Sequence, residues 1–194
     1  MNDLVKKNIR ESIAVKQTIL GDAAFLQKIE LAAQAFITTF RGGGKVLFCG
    51  NGGSAADAQH LAAELSGRFY TDRPPLFAEA LHVNSSFVTA VANDYGYDAV
   101  FARMTEAAGR RGDVLVLLST SGNSPNILKA IEKGKELGMN IIGFTGASGG
   151  KMAEICDILL NVPSADTPRI QEAHILIGHI ICEIVERWAV DGKR

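Results

Sequence analysis

The sequence predicts an α/β fold with a parallel sheet, in one domain. Three observations predict it. Two short, nearly all-apolar runs, residues 45–49 and 113–118, are bounded by glycine or polar residues. Each is followed by a loop of Gly, Ser and Asn, and then by a helical pattern. A third apolar run, residues 140–145, follows the second of those helices. Continuous apolar runs suit strands buried on both faces. The repeat of strand, short loop and helix describes βαβ units with right-handed crossovers.

Residues 1–41 read as two helices. Leu4, Ile9, Ile13 and Leu20 are compatible with one face, and Ile29, Ala32, Ala33, Phe36 and Phe40 recur at three and four residues. These stripes must be buried against the domain or against a neighbouring subunit. Gly42-Gly43-Gly44 ends the helical region, and the first strand, residues 45–49, follows. A helix is expected over residues 55–65 and a weaker strand over 76–83. The second strand, 113–118, leads through Ser119-Thr120-Ser121-Gly122-Asn123-Ser124 into a helix that Pro125 opens and Gly138 stops. After the third strand come a Gly-rich turn, a fourth strand over 155–162, and a long apolar helix over 168–188. No linker or low-complexity stretch divides the 194 residues.

Composition removes several classes of function. Apolar residues make up 47%, charged residues 21%, and the net charge is −1, as in a globular protein rather than a disordered one. The balance lacks the basic excess of a protein that binds nucleic acid through its phosphates. No apolar run approaches the roughly 20 residues needed to span a bilayer, and residues 1–10 lack the apolar centre of a signal peptide. A cytoplasmic protein is expected, with no membrane or nucleic-acid partner. Cys49, Cys156 and Cys182 lie in apolar surroundings without CxxC spacing, and read as free thiols.

The two polar loops follow strands, where ligands of open α/β sheets bind. Each leads into a helix N-terminus, whose free N–H groups favour an anion. Ser and Asn also serve as ordinary helix caps, but two such loops after two buried strands favour a ligand. Neither loop has the GxxxxGK[ST] or dinucleotide signature. The expected anion is therefore a phosphate on a small molecule, with no nucleotide cofactor.

Gly50-Asn51-Gly52-Gly53-Ser54-Ala55-Ala56-Asp57-Ala58-Gln59-His60 and the loop from Ser119 to Ser124 resemble the sugar-isomerase (SIS) family. The branch they resemble is the isomerase of bacterial heptose synthesis. Asn93-Asp94-Tyr95-Gly96, Gly149-Gly150-Lys151-Met152 and Arg169-Ile170-Gln171-Glu172-Ala173-His174 extend the likeness over almost the whole chain. The resemblance implies a doubly wound, flavodoxin-like three-layer sheet and a homotetramer with active sites between subunits. It implies an aldose–ketose isomerase acting on a sugar phosphate.

The resemblance places the substrate against Asn51, Gly52, Gly53, Ser54, Glu64, Asn93, Asp94, Ser119, Thr120, Ser121, Ser124 and Gln171. The serines and Thr120 hold the phosphate or its neighbouring hydroxyls. Glu64 and His179 are the implied catalytic pair, and His60, Glu64, Gln171 and His179 the implied zinc ligands. At one position the chain departs from many relatives: His82-Val83-Asn84-Ser85-Ser86 stands where they have Thr-Thr-Asp-Thr-Ser.

The spacings bear on this chemistry. His60 and Glu64, four apart, share a helix face. Gln171 and His179, eight apart, share a side of their helix without stacking, so one metal joining both needs side-chain reach or a kink. Two His, a Glu and a Gln form a donor set suited to zinc. Aldose–ketose isomerisation needs a base at a carbon-bound proton and an acid at the carbonyl oxygen. Glu64 and His179 fit these roles if burial brings their pKa values towards neutrality. Blander readings exist: Glu64 as a surface carboxylate, His179 as a core histidine, and Asn93 and Asp94 as turn residues. His82 and His174 have no evident partner and read as structural. Three rivals share the fold: a non-catalytic relative that binds a replication initiator protein, the sugar-binding domain of a regulator, and an isomerase of another sugar phosphate. The first branch lacks the Glu and His that this chain has. The second carries a DNA-binding module for which the chain has no room.

Overall fold

In the computed structural model, which describes residues 1–192, five parallel strands form one sheet in the order β2-β1-β3-β4-β5. The strands are β1 (Val46–Gly50), β2 (Ala78–Ala80), β3 (Val114–Leu118), β4 (Asn140–Thr145) and β5 (Ile158–Asn161). The helices are α1 (Asn2–Gly21), α2 (Ala23–Arg41), α3 (Gly53–Ser66), α4 (Ser85–Tyr95), α5 (Val100–Ala108), α6 (Pro125–Glu136) and α7 (Thr167–Asp191). Short 3-10 turns occupy Tyr97–Ala99 and Gly150–Glu154.

Every residue of β1 and β3 is buried, as their unbroken apolar sequences require. Alternate side chains feed two cores. Val46, Phe48, Val114, Val116 and Leu118 pack with α2, α3 and α7. Leu47, Cys49, Leu115 and Leu117 pack with α5 and α6. The sheet is thus doubly wound between two helical layers. The strand order reverses at β1 and β3, so the ends of those two strands form the switch point where such sheets bind ligands.

Several boundaries differ from the sequence expectation. The helix after the first loop starts at Gly53 rather than 55, because Gly52, at φ 56°, turns the chain into it. The fourth strand begins at Ile158 because a 3-10 turn takes up Gly150–Glu154. Residues 76–83 yield only a three-residue edge strand. Helices α4 and α5 had no counterpart. On α4 only Val91 is fully buried, with Phe87, Val88 and Ala92 packed half-buried beside it. Helix α1 leaves Leu4, Val5, Ile9, Ile13 and Leu20 exposed. Among the described residues no helix is long and apolar enough to cross a membrane.

His174 is fully buried under β4. Its Nε2 donates to the Thr145 carbonyl at 3.1 Å, and its ring meets Phe144 edge-on. Burial pushes the imidazole down to about 4. The unfolded chain protonates this residue near its ordinary 6.5, so its contribution is intact above that pH and is lost as pH falls towards 4. Urea unfolding should show a loss on the order of 3 kcal/mol across this window. His174→Gln should flatten that part of the profile; an unchanged slope in the variant would contradict the assignment.

Candidate active site

The second loop is fixed by the Gly-rich turn after β4. Gly122 sits at φ 67°, and a Cβ there would lie 2.1 Å from the Gly149 carbonyl oxygen. Gly146 N–H donates to the Thr120 carbonyl, Met152 N–H to that of Gly122, and Lys151 N–H to Asn123 Oδ1. This contact gives the Gly149-Gly150-Lys151-Met152 motif its physical reason. Between the second loop, the Gly-rich turn and the start of α7 lies a cavity of about 300 Å³ lined by Thr120, Ser121, Asn123, Ser148, Ser164 and Thr167, among others. Its polar side chains are hydroxyls and an amide, with no cation among them. Ser148, Ser164 and Thr167 escaped the sequence reading. Lone hydroxyls in loops carry no spacing signal.

Ser119 and Ser124 are 3.2 Å apart through their hydroxyls, at the mouth of α6. Neither α3 nor α6 has a side-chain N-cap bond, whereas α2 and α4 are capped by Asp22 and Asn84. In α3 the Ser54, Ala55 and Ala56 N–H groups already donate to the Asn51 and Gly52 carbonyls, and in α6 those of Ile127 and Leu128 donate to Ser124, which leaves the Gly53 and Asn126 N–H groups open to an anion. Ser54 is buried in the first turn of α3, and Gly52 and Gly53 are exposed beside it. Asn51 is held by a reciprocal amide pair with Asn126, at 3.0 and 2.9 Å, and accepts from the Tyr97 hydroxyl at 3.1 Å. Its side chain therefore ties the first loop to α6.

The structure brings His60, Glu64 and His179 together. Helices α3 and α7 run parallel: Gln171 meets Gly53, Gly178 meets Leu61, and His179 meets His60. A Cβ on Gly178 would lie 2.5 Å from Leu61 Cδ1, so the missing side chain is what lets the helices approach. His60 Nε2 lies 2.9 Å from Glu64 Oε1 and 3.1 Å from His179 Nε2. One ligand atom from each of the three residues falls within 4.8 Å of the others. Phe69 covers the group, its ring 5.6 Å from that of His179.

Three lone-pair donors at such separations repel unless a cation stands between them. A proton carried by one of the three and shared with its neighbours meets this need, the carrier being set by the histidine tautomers. So would zinc, whose bonds of about 2.0–2.1 Å set tetrahedral donors roughly 3.3 Å apart. The donor set therefore fits the metal. Gln171 lies apart from the three, its amide against Gly53, two turns earlier on α7.

Burial, and then the neighbouring His60, hold the His179 imidazole below its ordinary value, against the pull of Glu64. His179 is therefore neutral at pH 7. Asp57, one turn before His60 on α3, has one carboxylate oxygen buried without a hydrogen-bond partner. Burial raises its pKa and His60 opposes the rise. Asp57 stands inside the first motif, yet nothing in its spacing set it apart. Asn93 and Asp94 are exposed on α4 and bonded to each other at 2.9 Å. Asn84 caps α4 by accepting from Phe87 N–H at 3.0 Å, as the Asp found in many relatives also would. His82 is half-buried near the Ala55 backbone, and burial lowers its pKa.

With this geometry in view, the relatives can be compared. A family model described as "SIS domain" matches residues 15–146. The phosphoheptose isomerase of Aneurinibacillus thermoaerophilus is 54% identical over 193 residues, covering 100% of this chain and 98% of that protein. That of Rhodospirillum rubrum is 59% identical over 167 residues, covering 86% and 88%. The structure of the enzyme of this name from Neisseria gonorrhoeae superposes with a TM-score of 0.90 at 43% identity, over 96% of this chain and 98% of that one. The chain therefore belongs to the SIS-domain family, in its phosphoheptose isomerase branch, and is an enzyme of the isomerase class.

Replacing Gly178 by Ala should force Leu61 and the helices apart, costing about 1–3 kcal/mol of stability. Urea denaturation checks this, and a variant as stable as the parent would show that the close helix contact is not required.

Proposed function

We propose that the chain converts sedoheptulose 7-phosphate to D-glycero-D-manno-heptose 7-phosphate in the cytoplasm, supplying bacterial ADP- or GDP-heptose synthesis. It works as a homotetramer with active sites between subunits. The observation that carries this reading is the meeting of Glu64 and His179 beside the α3–α7 contact. Relatives more than half identical and named phosphoheptose isomerase support it.

Thr120, Ser121, Ser124, Ser119 and Ser54 hold the phosphate with hydroxyls, and the Gly53 and Asn126 N–H groups at the α3 and α6 N-termini add donors. Gly52 and Gly53 let the sugar approach the backbone. Asn51 keeps the two loops in register, and Asn93, Asp94 and Gln171 meet the sugar hydroxyls. The Glu64 carboxylate takes a proton from C1 of the ketose. The C–H electron pair becomes the C1–C2 double bond, and the carbonyl oxygen on C2 takes a proton from His179. Returning a proton to C2 and removing one from the C1 hydroxyl completes the aldehyde. His179, neutral near pH 7, can both give and take a proton. A zinc ion held by His60, Glu64 and His179 would polarise the carbonyl and stabilise the enediolate. Gln171, whose amide lies against Gly53, would complete that donor set or meet the sugar.

NMR of the protein with sedoheptulose 7-phosphate should show an aldoheptose phosphate appearing. Glu64→Gln and His179→Gln should each lower kcat by about 100-fold or more. Near-normal turnover in either variant overturns its assigned role. Metal analysis should find zinc in the purified protein and less of it in His60→Ala, and a chelator should slow the reaction. Full turnover in metal-free protein would remove zinc from the mechanism.

A further inference from the structure

Beyond the end of α3 the chain runs through an irregular segment, residues 67–77, before reaching β2. Such a segment next to a reactive pair has to be held, and the structure shows what holds it. Glu186 is 3% exposed, on α7 two turns beyond His179. Its Oε1 accepts from Phe69 N–H at 3.1 Å, and its Oε2 from Tyr70 N–H at 2.8 Å and Thr71 N–H at 3.0 Å. Arg73 is buried as well. Its Nη2 donates to the Glu64 carbonyl at 2.9 Å, and its Nη1 to the carbonyls of Leu65 at 2.9 Å and Pro74 at 3.1 Å. Its Nε pairs electrostatically with Glu186 Oε1 at 3.4 Å, without hydrogen-bond alignment.

We propose that Glu186 and Arg73 are positioning residues for the isomerisation: together they form a strap that fixes Glu64 and Phe69 against His179. This rests on the assignment of Glu64 and His179 as the reacting pair. Arg73 caps the end of α3 at the carbonyl of Glu64 itself, so it fixes the backbone that carries the base. Glu186 fixes the backbone of Phe69, whose ring lies 5.6 Å from that of His179. Glu186 acts from the same helix that carries His179, and Arg73 links it to the end of α3, so the strap sets the distance between acid and base. Neither residue lines the cavity by the Ser-rich loop. Loss of the strap should therefore disturb the chemical step and leave phosphate binding intact.

The test compares kcat and KM for sedoheptulose 7-phosphate in Glu186→Gln, Arg73→Met and the double variant Arg73→Met/Glu186→Leu. The double variant replaces the whole buried ion pair by apolar groups, so it strands neither charge, where a single replacement strands one. The expected result is a fall in kcat of about tenfold or more, with KM within about twofold of the parent, in every variant that unfolds at the parent's temperature. Folded variants with parental kcat overturn the proposal. So does a loss of rate that only tracks the folded fraction. Glu64→Gln and His179→Gln are run alongside. If those two stay active, the assignment of the reacting pair has failed; if they are inactive while the strap variants work normally, only the strap has failed.

Discussion

The close parallel contact of α3 with α7 is the constraint on which the rest of the site depends. Gly178 presents no side chain to Leu61, and the two helices approach there. One residue on, His179 meets His60, and Glu64 follows one turn later on α3. A bulky residue at 178 would separate groups that lie 119 positions apart in the chain. The same pair of helices sets both ends of the site. Gln171 meets Gly53 at the anion end, and Glu186 ties down the segment that leaves α3 at the other. Packing thus converts two helix faces into a line of polar groups.

The cavity by the Ser-rich loop is lined by neither lysine nor arginine. Hydroxyls and an amide take their place. Such short side chains have less freedom to lose on binding than a lysine or an arginine. The close fit of the Ser-rich loop against Gly149 and Gly150 serves this rigidity.

Much of this architecture was legible in the sequence, for reasons that differ by element. β1, β3 and β4 were visible because strands buried on both faces have no polar alternation to obscure them. The switch-point loops were visible because they follow those strands. Helix α4 was missed although Phe87, Val88, Val91 and Ala92 recur at helical spacing, and α5 because its nine residues give a periodicity too little length. His60 and Glu64 were linked by spacing, since four residues make one helical turn. Their meeting with His179 was not, because which helix packs on which is set by tertiary contacts; only the family resemblance joined them. Gly178 carried a signal in hindsight, as a glycine inside a long apolar helix. So did Glu186, a carboxylate amid Ile184, Val185 and Trp188, where burial demands partners.

The most direct test of this account is a crystal structure of the protein with sedoheptulose 7-phosphate bound. The account predicts phosphate density among Thr120, Ser121 and Ser124, and the C1–C2 end of the same sugar within contact of both Glu64 and His179. A sugar whose carbonyl end lies away from that pair, in any subunit of the assembly, would contradict it.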